Sequence, residues 1–373
     1  MAPFPASAGR QPRGLVKING ARVDGWIDFD VHTAGYRSAD TFRVRFAAGA
    51  LPASMNAAWF SQQRDMYVEL FAGTPPDPVN FGPADLKSWI YAQVDNLEFD
   101  PVANVIHLEG RDLARLLIDN KTTQKWPNLT SSQIATLLAK KWGLTPSVTA
   151  TTTPAGKFYE LEHAYMAQEQ SEWDILSHLA DDEGFLLMVR GTTLYFNPKP
   201  APGSLPPYRI TWTPPAPGAG SPVANVQRIQ MRREVAISRG VQVLIRSWNK
   251  AHGAGYVAKY PPDVRTITVG QSNVGATIQV YERTIPNLDA DAALKKAQNW
   301  YQQIIAHEMK IDVEMPGDDT LDVTSTVSLA GTGTAWDQQY FPTFITRSMS
   351  TRTGYSMRFS AKNTSPDVPD FLR

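Results

Sequence analysis

The sequence predicts a mainly β protein that carries an α+β insert. Three observations predict it. Apolar and polar residues alternate with period two through the first hundred residues, and the pattern returns after residue 226. Between those regions the period changes to that of amphipathic helices. Nine prolines from Pro198 to Pro222 then exclude regular helix and central strand. These changes divide the chain into a β-domain over 1–110, an α+β insert over 111–197, a Pro-rich crossover over 198–225, a second β-domain with one helix over 226–363 and a loose tail over 364–373.

In the first domain, LVKI, Asn19-Gly20 and ARVDGWIDFDV read as a hairpin, because Asn-Gly supplies the positive-φ positions of a tight turn. Phe42, Val44 and Phe46 alternate with Arg43 and Arg45. DMYVELFAG (65–73), SWIYAQVDNLEFD (88–100) and ANVIHLEG (103–110) continue the style, giving about six strands and a closed or nearly closed sheet. In the insert, RDLARLLIDN is a short helix. Ile134, Leu137, Leu138 and Trp142 form one helical face, with Thr130 or Ser131 as cap and Gly143 as C-terminal stop. Ser171 and Asp174 have capping-box spacing for a second helix with Trp173, Leu176, Leu179 and Ala180 inward. Gly184 ends it, and FLLMV and TLYF flank Arg190-Gly191-Thr192 as a hairpin. YRITW (208–212) is a short strand within the crossover. VQRIQMRREVA (226–236) and VQVLIRSW (241–248) reopen β structure. Asp289 caps a helix to about His307, with Leu294, Ala297, Tyr301, Ile304 and Ile305 inward. KIDVEM, LDVTSTVSL, QQYFPTFITRSMS and SMRFSAKN follow as strands.

Composition excludes several functions. The 373 residues include 36 basic and 36 acidic side chains, so the chain lacks the cationic surplus of a generic nucleic-acid binder. With no cysteine, thiol nucleophiles, disulfides and cysteine-ligated metals are impossible. The N-terminal MAPFPASAGRQPRG has no secretory apolar run, and no stretch approaches a membrane span, which points to synthesis and folding in a cytoplasm.

No catalytic, cofactor or metal site emerges. His307-Glu308 begins like a zincin motif but Lys310-Ile311 stand where the second His belongs. Asp289, Asp291, Asp318, Asp319 and Asp322 offer calcium-type oxygens without EF-hand spacing, and capping and turn formation account for them. Asp181, Asp182 and Glu183 could form a glycosidase-like carboxylate pair; a solvated face or partner contact is the plainer reading. His32, His107, His163, His178 and His252 have no ligand spacing. Trp142, Trp173 and Trp300 fall on or beside apolar stripes, so packing explains them before sugar binding does.

Several collinear segments carry a resemblance: SADTFRVRF, LEGRDLARLLIDN, SSQIATLLAKKWGLT, QEQSEWDILSHLADDEGFLLMVRGTTLYF, VQVLIRSWNK and MPGDDTLDVTSTVSLAGTGTAWDQQYFPTFITRSMS. From about 14 to 362 the chain resembles the phage late-control protein D family of baseplate hubs, whose module also forms the N-terminal part of type VI secretion spike proteins. The resemblance implies two tube-like β-barrel domains, a homotrimeric ring that acts as a symmetry adaptor between hexameric tail tube and trimeric spike, and no catalytic residue, metal or cofactor. It implies a tail of the contractile type, with a long flexible tail using a related hub as the alternative, location at the tail tip of the virion and assembly in the host cytoplasm. Partners would be the spike or puncturing protein, the tube protein, the tape-measure protein and other baseplate wedge proteins, with DNA only a transient passenger in the lumen. The chain stops soon after the second β-domain, so a separate spike is expected to dock below the ring. Lumen-facing side chains should be polar and not strongly basic. Two other readings stay open: a tail-tip enzyme acting on cell wall, which needs a convergent acid pair or metal site, and a host-glycan or receptor-binding β module, which needs exposed Trp and Tyr on one concave face.

Overall fold

The computed structural model describes residues 11–34, 38–124, 126, 129–152, 170–198, 206–215, 218, 220–234, 241–249, 253–262, 279–286, 288–305 and 309–363. The first β block contains β1 (Arg13–Ile18), β2 (Ala21–Arg22), β3 (Trp26–Ala34), β4 (Thr41–Ala47), β5 (Tyr67–Gly73), β6 (Lys87–Asp100) and β7 (Val105–Asp112). Six of these run β1-β5-β6-β7-β4-β3, all antiparallel. Asn19 and Gly20 make the expected turn, with φ of 49° and 82°. The returning strand β2 is only two residues long, and β3 pairs with β4 rather than with β1. A helix not anticipated from the sequence, α1 (Ala57–Gln62), delivers Phe60 to the core beside Phe46. Val16, Phe29, Val44, Phe46, Ile106 and Leu108 are buried in that core. At Gly110 a Cβ would stand 2.0 Å from the Gln93 carbonyl oxygen, so the β6–β7 bulge requires glycine.

The insert comprises α2 (Arg115–Ile118), β8 (Lys121–Thr122), α3 (Ser131–Lys141), β9 (Thr145–Val148), β10 (Gln170–Ser171), α4 (Glu172–Glu183), β11 (Phe185–Arg190) and β12 (Thr193–Pro198). Thr130 caps α3 in a box with Gln133. Ser171 caps α4 differently from the expected box: its hydroxyl accepts the Asp174 N–H at 3.0 Å and donates to the Asp174 carboxylate at 2.7 Å. Gly143 and Gly184 end the two helices with φ of 68° and 72°. Trp173, Leu176, Leu179 and Ala180 are buried against Ile134, Leu138 and the hairpin β11–β12. Leu137, expected inward, is 49% exposed, because α3 turns Ile134, Ala135, Leu138 and Ala139 to the core instead.

Next come β13 (Tyr208–Thr213), β14 (Val223–Ala224) and β15 (Arg228–Arg233). β16 (Val241–Asn249), β17 (Ala254–Tyr260) and β18 (Gln279–Thr284) form a small separate sheet covered by α5 (Ala290–Ile305). Asp289 caps α5 through the Ala292 N–H at 2.8 Å. Among its described side chains Ala293 and Ala297 are buried; Leu294, expected inward, is exposed, and the side chain of Ile305 lies outside the described residues. The chain then returns through β19 (Met309–Pro316), β20 (Val327–Ala330), β21 (Gln339–Ser350) and β22 (Gly354–Asn363). Residues 321–326, expected in a strand, are turns, because Asp322 accepts the Thr324 N–H and donates its own N–H to the Ser325 hydroxyl.

The second block is ordered β13-β20-β21-β22-β19-β15 around Ile311, Val313, Met315, Tyr340, Ile345, Met357 and Phe359. Asn225, ahead of β15, accepts from Thr211 N–H and donates to the Arg209 carbonyl, stitching the last strand back towards the first. The two blocks are one sheet: β3 and β21 pair antiparallel from Phe344↔Ala34 to Ser350↔Asp28, giving 14 strands in all. Each block thus has six strands and one two-residue edge strand.

Candidate functional site: a charge-paired sheet face

Period two gives this sheet an apolar face, which builds the cores, and a polar face that crosses the β3–β21 seam beside a single Phe344–Ala34 apolar pair. Strand register sets its rows. One row reads Arg228, Glu314, Arg358, Thr346, His32, Thr41, Arg111 and Gln93 across eight strands. The next reads Ser356, Ser348, Asp30, Arg43, Glu109 and Asn96. A third reads Ser350, Asp28, Arg45, His107 and Glu98.

Opposite charges oppose each other across these three rows, while Arg232, Lys310 and Lys362 stand side by side at one end of the face. Arg45 forks onto Asp28, which raises the guanidinium's proton affinity. Arg111 reaches Asp95 at 2.6 Å and Asp119 at 2.9 Å, and those hydrogen bonds raise it strongly. Arg43 lies 3.8 Å from Glu109, Arg228 3.8 Å from Glu314 and Arg232 3.6 Å from Asp312. His32 shares a hydrogen bond of 3.0 Å with Thr346 across the seam. Burial first, then Arg358, lowers its proton affinity. Lys362 is lowered by burial and by Lys310 opposite it. Such exposed pairs are each worth about 0.2–1 kcal/mol. Their main effect is to cancel charge locally, leaving a wetted wall of both signs rather than a polyanion-binding groove.

Residues singled out in the sequence do not converge. Asp318 takes the Thr320 N–H and the Tyr208 hydroxyl, Asp319 takes Trp89 Nε1 and the Tyr355 hydroxyl, and Asp322 takes Arg190. Asp182 pairs with Lys296 at 2.7 Å and His178 at 3.6 Å, and Glu183 accepts from Ser131. Among the described residues no group of three or more His, Asp and Glu is placed to hold a metal. His163, His252 and His307-Glu308 lie outside the described residues. Of the ten tryptophans, Trp248 is the exposed one, at 61%, and it stands on the small sheet rather than on the polar face. Trp173 is 4% exposed. The polar face escaped sequence analysis. Its signal was present in the alternating charges of DFDVH, RVR, IHLEGR and KIDVE, but adjacency of those strands is not written locally.

No protein-family model matches the chain, and no curated protein matches it. Solved structures do. The tail protein from Neisseria meningitidis MC58 aligns at 16% identity over 94% of this chain and 96% of that one, with a TM-score of 0.65. The 43 kDa tail protein of prophage MuSo2 from Shewanella oneidensis aligns at 15% identity over 94% and 98%, with a TM-score of 0.66. A chain of the Francisella PdpA–VgrG complex aligns at 9% identity over 97% of this chain and 60% of that one, with a TM-score of 0.51. The protein has the mainly β fold of phage tail proteins.

Proposed function

We propose that the protein is a structural hub subunit of a phage or phage-like tail, of the contractile type. Three copies close into a ring, and the polar sheet face lines the lumen. The observation that carries this reading is the single sheet with two six-stranded blocks and one shared, mostly charge-paired polar face. Two blocks per chain give six per trimer, which is what an adaptor between a six-fold tube and a three-fold spike requires. A wall that pairs its own charges offers passing DNA or a tape-measure protein little to grip. The likeness to tail proteins supports the same role. The ring would sit at the tail tip of the virion after assembly in the host cytoplasm, bounded by tube, spike and wedge proteins. Its role is architectural, with no chemistry of its own.

Light scattering on a sizing column tests the ring. Three copies of the 41.3 kDa chain weigh about 124 kDa. A trimer, alone or on adding the spike protein, is the expected result; a monomer under both conditions overturns the ring.

A further inference from the structure

The first block, the insert and the second block meet at a polar cavity of about 290 Å³. All three send charge into it: Asp40, Asp112 and Lys87 from the first block, Arg190 from the end of β11, and Asp322 and Arg347 from the second block. Asp112 is 2% exposed. Its N–H donates to the Asp40 carbonyl at 2.9 Å, which holds the two carboxyl groups as neighbours. The Asp40 carboxyl accepts the Ala34 N–H at 2.8 Å, and the Asp112 carboxyl accepts the Ala114 N–H at 3.0 Å and the Asp40 N–H.

Among the described residues the cations around this pair bond elsewhere, although Arg347 Nε is buried without a partner. Arg190 binds Asp322 at 2.8 Å, Arg347 donates to the Leu321 carbonyl at 2.5 Å and Lys87 to the Asp319 carbonyl at 2.6 Å. Arg111, next to Asp112 in the chain, is held by Asp95 and Asp119. Tyr91 also lines the cavity, and Tyr355 closes on Asp319 beside it. Two carboxylates in one largely desolvated space repel each other, and among the described residues neither forms an ion pair of its own. Burial, only partly offset by hydrogen bonding and by Arg190 and Arg347, pushes Asp40 up to about 7. Burial and then the Asp40 charge push Asp112 well above the usual carboxylate range.

We propose that this junction is a proton-linked latch: Asp40 and Asp112 hold a proton while the insert is clamped to both β blocks, and loss of that proton loosens the insert. The two blocks stay joined through the β3–β21 ladder, and Leu186 and Met188 of β11 stay packed in the second core, so the part that loosens is the insert around the Arg190 end and residues 113–118. The sign follows from linkage. An acid that is harder to ionise when folded than when unfolded contributes its stability at low pH. That contribution is lost as pH rises from the ordinary carboxylate value of about 4 towards the raised folded value.

Hydrogen exchange of the full chain, corrected for intrinsic rates, tests the latch. Between about pH 5 and about pH 9, protection of the β11 end and of residues 113–118 should fall by roughly tenfold or more, the change that one unit of pKa shift corresponds to. Protection of β4 and β7 should hold. Asp112→Asn keeps the acceptor for Ala114 and removes one charge, so it should retain the low-pH protection at high pH. An Asp112→Asn profile that falls as the wild type does overturns the latch. Should that variant not fold, Asp40→Asn carries the same expectation, and a wild-type loss spread evenly over all segments also overturns it.

Discussion

The two β blocks share strand number and a common polar face, yet they fill their cores differently. The first packs Phe29, Phe42 and Phe46 together with Phe60 of α1, which the long β4–β5 connection supplies. The second packs Met309, Met315 and Met357 around Tyr340 and Phe359, and it is interrupted by the 241–305 unit. Rings lock into few rotamers, while methionine fills irregular gaps and tolerates change. On that composition the first block is expected to act as the more rigid template and the second, assembled from distant chain segments, as the more adaptable copy.

That contrast can be broken. Phe46→Ala should cost about 3–5 kcal/mol, and Trp173→Ala in the insert about the same, by urea unfolding. A soluble, folded Trp173→Ala protein that fails only in assembly would make Trp173 an interface residue instead. Met357→Ala should fall at the low end of about 2–5 kcal/mol, because neighbouring methionines can close the gap. A Met357 loss larger than that at Phe46 would reverse the assignment of template and copy. Thr130→Ala, which removes the α3 cap, should lower the melting temperature by an amount worth about 0.5–2 kcal/mol. The smallest effect belongs to the polar face: a double-mutant cycle on Arg43 and Glu109 should give a coupling below about 1 kcal/mol that shrinks with salt.

Local patterning made much of this legible. The Asn19-Gly20 turn, the Thr130 and Asp289 caps, the stops at Gly143 and Gly184 and the Trp173 stripe all follow from neighbours within a few residues. What stayed hidden depends on distance. His32 meets Thr346 across 314 residues, and nothing in either strand's alternation names its partner. Leu137 and Leu294 were misread because their helices bury alanine-rich flanks instead, a choice made by the surface they pack on. Turns at 321–326 looked like strand because Leu321 and Val323 are buried without being in a ladder. The latch carboxylates gave no signal, since Asp40 and Asp112 are brought together only by the β4–β7 pairing.

The β3–β21 seam also has a meaning in time. A ribosome adds about 5–20 residues per second, so β3 waits roughly 15–60 s for its partner strand to be made. Throughout that interval the nascent first block shows an unpaired edge whose alternating Asp28, Asp30 and His32 face solvent. Charges on that edge, placed before the partner exists, act as guards against premature pairing with another nascent chain.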